Sequence, residues 1–269
     1  MTQGALYVVA TPIGNLEDMT IRGLETLRTV DLIACEDTRK SRILLARWNI
    51  STPLLSLHKF SENRRIRAVL DRLQRGESVA LISDAGTPAI SDPGSRLVKA
   101  ASEAGLKVTP IPGPSSITAA LSVAGTEAGE FVYRGFAPRT GERRRVFFEE
   151  ILRDQRTSVF FETPKRVLAT LAVAAQILGE RRMVLTRELT KMHEEILSGS
   201  AADLVDELKS RSSIRGEIVV VVEGAAETRP EVNPDEAVAR LLAEGFSGKT
   251  LSGRSSPNIT GSPSGFILH

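Results

Sequence analysis

The stretch Ser83-Asp-Ala-Gly-Thr-Pro-Ala-Ile-Ser-Asp-Pro-Gly94 constrains this chain more than any other. It follows the apolar run Val79-Ala-Leu-Ile82 and precedes a helix-like segment over 95–104. A short apolar run bounded by turn residues predicts a buried strand. The turn after it is long and carries Gly86, Pro88, Pro93 and Gly94. Glycine lets the backbone approach a ligand without a Cβ in the way, and proline fixes φ. In an open α/β sheet, ligands sit outside the carboxyl ends of the strands. The stretch therefore reads as a binding floor, with an ordinary strand-to-helix turn as the plain alternative.

Two similar turns frame it. The run Leu6-Tyr-Val-Val-Ala10 predicts a strand that ends in Thr11-Pro-Ile-Gly-Asn15, and Lys107-Val-Thr-Pro-Ile111 one that ends in Pro112-Gly-Pro-Ser-Ser116. Neither turn is a G-x-G-x-x-G or Walker A loop, so dinucleotide and nucleotide-hydrolase fingerprints are absent. The last turn opens a helix with Ile117, Ala120 and Leu121, whose free N–H groups and Ser115 or Ser116 hydroxyls suit capping or an anionic ligand group. Between these turns, Thr20 caps a helix to Arg28 with Ile21, Leu24 and Leu27 on one face. Asp31–Cys35 and Leu54–Leu57 are further strands, and a basic helix with Arg64, Arg65 and Arg67 spans 61–75. Alternation of strands and helices over 5–124 implies a mostly parallel sheet.

Beyond a boundary near 125–129 the alternation resumes. Strands are expected at 131–134, 157–161, 182–185, 193–197 and 218–222, with helices to Leu178 and over 201–211. The densest basic stretch is 138–145, with Arg143, Arg144 and Arg145 in a solvated loop or against phosphates. Residues 225–233 read as a linker and 234–244 as an amphipathic helix. The Ser/Gly/Pro-rich tail over 251–269 reads as irregular. The division is thus 1–124, 125–224 and 225–269.

Composition narrows the chemistry. One cysteine among 269 residues excludes a disulfide framework and a cysteine-rich metal site. Three histidines, with His193-Glu-Glu195 not matching H-E-x-x-H and no G-x-S-x-G, leave neither a zinc site nor a nucleophilic triad. No metal is expected. No run of 18 apolar residues predicts a membrane span, and the start lacks a signal-peptide pattern, so a cytoplasmic location is expected. A net charge of +2 is too small to identify a partner by itself.

Five motifs in order, Thr11–Asn15, Cys35-Glu-Asp-Thr-Arg39, Ser83–Gly94, Pro112–Ser116 and Arg187-Glu-Leu-Thr-Lys191, resemble the tetrapyrrole-methylase superfamily. More closely they resemble its RNA-modifying branch, the ribosomal RNA small subunit methyltransferase I family. The resemblance covers about 5–224. It implies an α/β fold of class III methyltransferase type. Two α/β domains hold S-adenosylmethionine in the cleft between them, and a short C-terminal helical segment follows. The implied reaction is methylation of a cytidine ribose 2′-hydroxyl in the decoding region of 16S ribosomal RNA, free or in the assembled 30S subunit, by a homodimer. Cofactor contacts carried over position by position are Pro12, Ala85, Gly86, Thr87, Ile90, Ser115, Ser116, Phe161, Glu162 and Gly216. Tetrapyrrole-modifying relatives usually carry Gly-Asp-Pro where this chain has Gly86-Thr87-Pro88, which favours RNA over a porphyrinoid substrate. The alternatives are that porphyrinoid enzyme and a non-catalytic RNA-binding or ribosome-assembly factor.

A ribose hydroxyl is a poor nucleophile while protonated, so a general base helps. Glu36 or Asp37 is the expected base because both end a strand near the first turn, with His58 a weaker alternative. Arg39 is a candidate fork donor to a neighbouring phosphate. The plain alternative for both Glu36 and Asp37 is structural, capping and pairing with Arg39. Arg64, Arg65 and Arg143 to Arg145 are the candidate RNA contacts. The tail after Lys249 departs from the family's helical end; a truncated, read-through or frame-shifted end is one reading of it, which resequencing checks.

Overall fold

The computed structural model describes residues 4–57 and 62–226. His58, the helix expected at 234–244 and the tail lie outside the described residues. Strands β1 (Ala5–Val9), β2 (Leu32–Cys35), β3 (Leu54–Ser56), β4 (Val79–Ile82) and β5 (Lys107–Ile111) form one sheet in the order β3-β2-β4-β1-β5. Every pairing in it is parallel. The connecting helices are α1 (Ile21–Thr29), α2 (Thr38–Arg47), α3 (Glu62–Gln74) and α4 (Ser95–Glu103), and α5 (Ser116–Ala124) leaves the last strand.

Both faces of this sheet are covered, as a parallel sheet requires. The strand period of two divides β4: Val79 and Leu81 join a core with Leu97 and Ala101 of α4 and Val69 and Leu73 of α3. Ala80 and Ile82 join the opposite core with Leu24 and Leu27 of α1 and Leu45 of α2. Thr20 caps α1, its hydroxyl accepting from the Gly23 N–H at 3.0 Å. One expectation for that helix changes: Ile21 is 81% exposed, because the buried stripe is Gly23, Leu24, Thr26 and Leu27.

The second sheet comprises β6 (Phe131–Phe136), β7 (Thr157–Glu162), β8 (Met183–Arg187), β9 (Glu195–Gly199) and β10 (Ile218–Val222), in the order β6-β7-β10-β8-β9. Only β6 and β7 run parallel; β10 is antiparallel to both its neighbours. The strand expected at 193–197 begins instead at Glu195, where the register Arg187↔Glu195 starts. His193 and Glu194 belong to the preceding turn, in which the Glu194 carboxylate accepts from the Thr190 N–H.

Helices α6 (Gly141–Arg153), α7 (Val167–Leu178) and α8 (Ala201–Lys209) cover one face of this sheet against Ile218, Val220 and Val222. The other face, with Val219 and Val221, packs against Ile117, Ala120, Leu121 and Ala124 of α5. The helix that leaves the first sheet thus seals the second, and both sheets belong to one compact unit ending at Ala225.

Candidate functional site

The turns after β1 and β4 are joined by backbone. The Thr11 N–H donates to the Gly86 carbonyl at 2.9 Å and the Gly86 N–H to the Thr11 carbonyl at 3.0 Å. The Thr11 hydroxyl donates to the Ser83 carbonyl at 3.1 Å. Gly86 sits at φ +76°, where a side chain is strained, so glycine is what this junction accepts. The turn after β5 closes on the same loop, with the Thr87 hydroxyl donating to the Pro114 carbonyl. Three sequence-distant turns therefore form one floor at the carboxyl edge of the first sheet.

The second sheet supplies the opposite wall. Antiparallel pairing sets Ile218 beside Glu162, so the start of β10 adjoins the end of β7. A cavity of about 300 Å³ lies between, lined by Ala85, Gly86, Thr87, Ile90, Ser91 and Asp92, by Ser115, Ser116 and Ile117, and by Phe136, Phe161 to Pro164 and Gly216 to Val219. Phe161 stacks edge-on with Tyr133 and with Phe136, at centroid separations of 5.1 and 5.3 Å. The Ser115 side chain makes no capping hydrogen bond to α5, so the first-turn N–H groups receive no side-chain acceptor from their own cap.

Nine of the ten expected cofactor residues line this cavity: Ala85, Gly86, Thr87, Ile90, Ser115, Ser116, Phe161, Glu162 and Gly216. Pro12 is not in the lining; it follows Thr11 in the joined turn. Glu162 is there with its carboxylate already engaged. It accepts from the Thr163 N–H and the Thr170 hydroxyl and pairs with Arg166.

Beside the cavity lies a ring of charges. Asp37 caps α2 by accepting from the Arg39 N–H at 2.8 Å, and Arg39 also grips it through Nε and Nη2. Those bonds hold the Asp37 carboxyl far below the usual range, which makes it a poor proton acceptor. The geometry thus gives Asp37 the capping and pairing role that the sequence left open. Arg39 itself is exposed on the first turn of α2. Lys40 donates to Asp84 at 2.8 Å, and Asp84 also accepts from the Asp37 N–H. Lys191 donates to Glu188 at 2.8 Å and to Glu217 at 3.2 Å. Thr190 receives the Asn15 N–H on its hydroxyl, which brings the 187–191 motif to the first turn. Gly216 approaches Glu188 so closely that a Cβ would meet the Glu188 side chain at 2.4 Å.

Sequence reasoning missed Asp92. Burial raises its carboxyl to about 6; the Ser83 hydroxyl works against that, and the charges of Glu36, Asp84 and Glu217 add to it. The available signal was the repeated Ser-Asp pair, Ser83-Asp84 and Ser91-Asp92, within the one loop.

The basic residues separate into two kinds. Arg64, Arg65, Arg143 and Arg145 are exposed. Arg144 is 7% exposed, which corrects its expected place among the RNA contacts. It shares the buried stripe of α6 with Phe147, Phe148 and Ile151, and its guanidinium donates to the carbonyls of Pro138, Arg139 and Ala169. The i, i+3, i+4, i+7 spacing to those apolar residues was the signal. Among the described residues no cluster of metal-ligating side chains is present, and no helix is long and apolar enough to cross a membrane.

A family profile described as Tetrapyrrole (Corrin/Porphyrin) Methylases matches residues 5–205. The chain is 43% identical over 221 residues to a Ribosomal RNA small subunit methyltransferase I of Thermotoga maritima, covering 82% of this chain and 99% of that protein. It is 47% identical over 226 residues to the protein of the same description from Pseudomonas aeruginosa, covering 83% and 80%. Among solved structures it is similar to a cobalt precorrin-4 methyltransferase, with a TM-score of 0.61 at 19% identity over 81% of this chain and 94% of that one. At that identity the likeness concerns the fold.

Proposed function

The chain belongs to the tetrapyrrole methylase family, in its ribosomal RNA small subunit methyltransferase I branch, and from that premise we propose that it methylates a cytidine ribose 2′-hydroxyl in the decoding region of 16S ribosomal RNA, with S-adenosylmethionine as donor. The observation that carries the reading is the meeting of the turns after β4 and β5 with Phe161 and Gly216 around one cavity, on a floor that the turn after β1 completes by its backbone bonds to Gly86.

The residues present fit such a donor. Ile90, Ile117, Phe136 and Phe161 offer an apolar and aromatic wall to a purine. The N-terminus of α5, with Ser115 and Ser116, suits a carboxylate. Gly86 and Ala85 keep the floor free of bulk. When bound, the donor supplies an electrophilic methyl on a sulfonium. The chain's task is then to align the hydroxyl oxygen behind that methyl and to exclude water, and alignment of this kind lowers a barrier by several kcal/mol, up to about 7–11.

On this reading residues 1–124 and 125–224 are the two halves that hold the donor, and the active form is a cytoplasmic homodimer. Exposed Arg64, Arg65, Arg143 and Arg145 meet RNA phosphates, with Arg39 as a fork donor near the site. With 4% aromatic residues, recognition rests on shape and backbone more than on base stacking. Replacing Arg143 and Arg145 by Ala weakens RNA binding and lowers its salt dependence by about two phosphate contacts, leaving donor affinity unchanged.

Mass spectrometry of 16S RNA from cells with and without the gene tests the function. The expected result is one methyl group lost from one cytidine ribose. Identical spectra, with no donor uptake by the purified protein, overturn it.

A further inference from the structure

The carboxylates around the cavity are not equivalent. Asp37 is held by Arg39, Asp84 by Lys40, Glu217 by Lys191 and Glu162 by Arg166 and two neighbouring donors. The bonds from Arg39 hold the Asp37 carboxyl well below its ordinary range. Asp92 is different. It is half-buried in the cavity lining, and the charges that act on it most are the carboxylates of Glu36, Asp84 and Glu217. These come from three places: the end of β2, the loop after β4 and the start of β10. The Tyr133 hydroxyl on β6 faces the same group from the second sheet.

Its backbone is also fixed. Ser91, at φ +62°, hydrogen-bonds the Tyr133 hydroxyl at 2.6 Å, which ties the loop to the second sheet. Pro93 follows directly and restricts Asp92 to extended conformations. Asp92 therefore sits on a pinned loop, in the cavity lining it shares with Gly86, Thr87 and Phe161. A general base needs this combination of position and proton affinity.

We propose that the Asp92 carboxylate takes the proton from the ribose hydroxyl during methyl transfer. The inference rests on the methyl-transfer reading above. The hydroxyl oxygen forms a bond to the methyl carbon as the carbon–sulfur bond breaks, and that electron pair stays on sulfur, which becomes a neutral thioether. The hydroxyl proton passes to Asp92 and from there to water. A carboxyl titrating near 6 is ionised at neutral pH and still basic enough to share a proton with the reacting hydroxyl.

The experiment compares wild type with Asp92→Asn and Asp92→Glu, using 30S subunits that lack the modification. Single-turnover methyl transfer is followed from pH 5 to 8.5, and calorimetry measures the affinities for S-adenosylmethionine and for its neutral product, S-adenosylhomocysteine. Asp92→Asn is expected to lower transfer by about 100-fold or more, Asp92→Glu to restore part of it, and both affinities to stay within about threefold. Wild-type transfer should rise tenfold per pH unit below about 6 and level off above it, a limb that Asp92→Asn removes. Transfer retained within tenfold in Asp92→Asn overturns the assignment. So does a selective loss of affinity for the charged donor, because that would make Asp92 a sulfonium partner. A wild-type rate that is flat from pH 5 to 8 overturns it even if neither variant folds. Failure of the function reads differently: wild type itself then transfers no methyl group to the subunit.

Discussion

In the first sheet every strand runs the same way, so the turns after β1, β4 and β5 leave it at a single edge. In the second, β10 runs against β7, so the residues that precede one strand lie beside those that end the other. The two sheets deliver side chains to one cavity by opposite routes. The first uses glycine and proline to bring backbone close. The second uses a rigid central strand and a buried polar network to hold a wall upright. The floor is held by backbone bonds between its turns, whereas the wall is held by the side chains of Glu162, Thr170 and Arg166.

The sharpest way to break this contrast is at Glu162. Replacing it by Ala leaves Arg166 without its carboxylate and the buried Thr170 hydroxyl without its acceptor. The expected cost is about 3 kcal/mol in denaturant unfolding. A loss well below about 1 kcal/mol would mean that the network does not hold the wall.

The next effect is in the floor. Gly86→Val forces a β-branched residue to φ +76° at the junction with Thr11. Donor affinity by calorimetry should fall about 10- to 100-fold, equivalent to roughly 1.4–2.7 kcal/mol. Unfolding should shift less than for Glu162→Ala. Equal shifts for the two variants would erase the distinction between floor and wall.

The smallest effect is electrostatic and lies where the two regions meet. The folded protein raises the Asp92 carboxyl from its ordinary 3.8 to about 6. The fold therefore binds this proton more tightly than the unfolded chain, and the contribution of Asp92 to stability falls as pH rises from about 4 to about 6. Asp92→Asn should melt higher than wild type at pH 7.5, by no more than about 1 kcal/mol after solvent screening. That advantage should vanish at pH 4. A variant less stable than wild type at pH 7.5 would show that Asp92 makes a favourable contact there.

The legibility of the sequence differs between the same two regions. Each turn of the floor follows its own strand directly, so its place at the carboxyl edge was readable from local pattern, and so was the position of Ser115 at a helix start. The meeting of Gly216 and Phe161 at one cavity was carried over by resemblance alone, because the antiparallel strands that bring them there share no local signature across the intervening chain. Arg144 looked like part of a basic surface because its neighbours are charged; its helical spacing to Phe147, Phe148 and Ile151 placed it inside. Asp37 was read as a candidate base and Glu162 as a cofactor contact, and only the partners around them showed both carboxylates to be engaged.

What the chain's residues determined by themselves was the set of elements and the class of chemistry. Strand runs, caps and small-residue turns are local, and their energetics are settled within a few residues. Which carboxylate of the cavity lining is raised by its surroundings was decided only by the tertiary structure. Proton affinity depends on burial and on charges within a few ångströms, and at Asp92 those charges come from Glu36, Asp84 and Glu217, two of them far away along the chain.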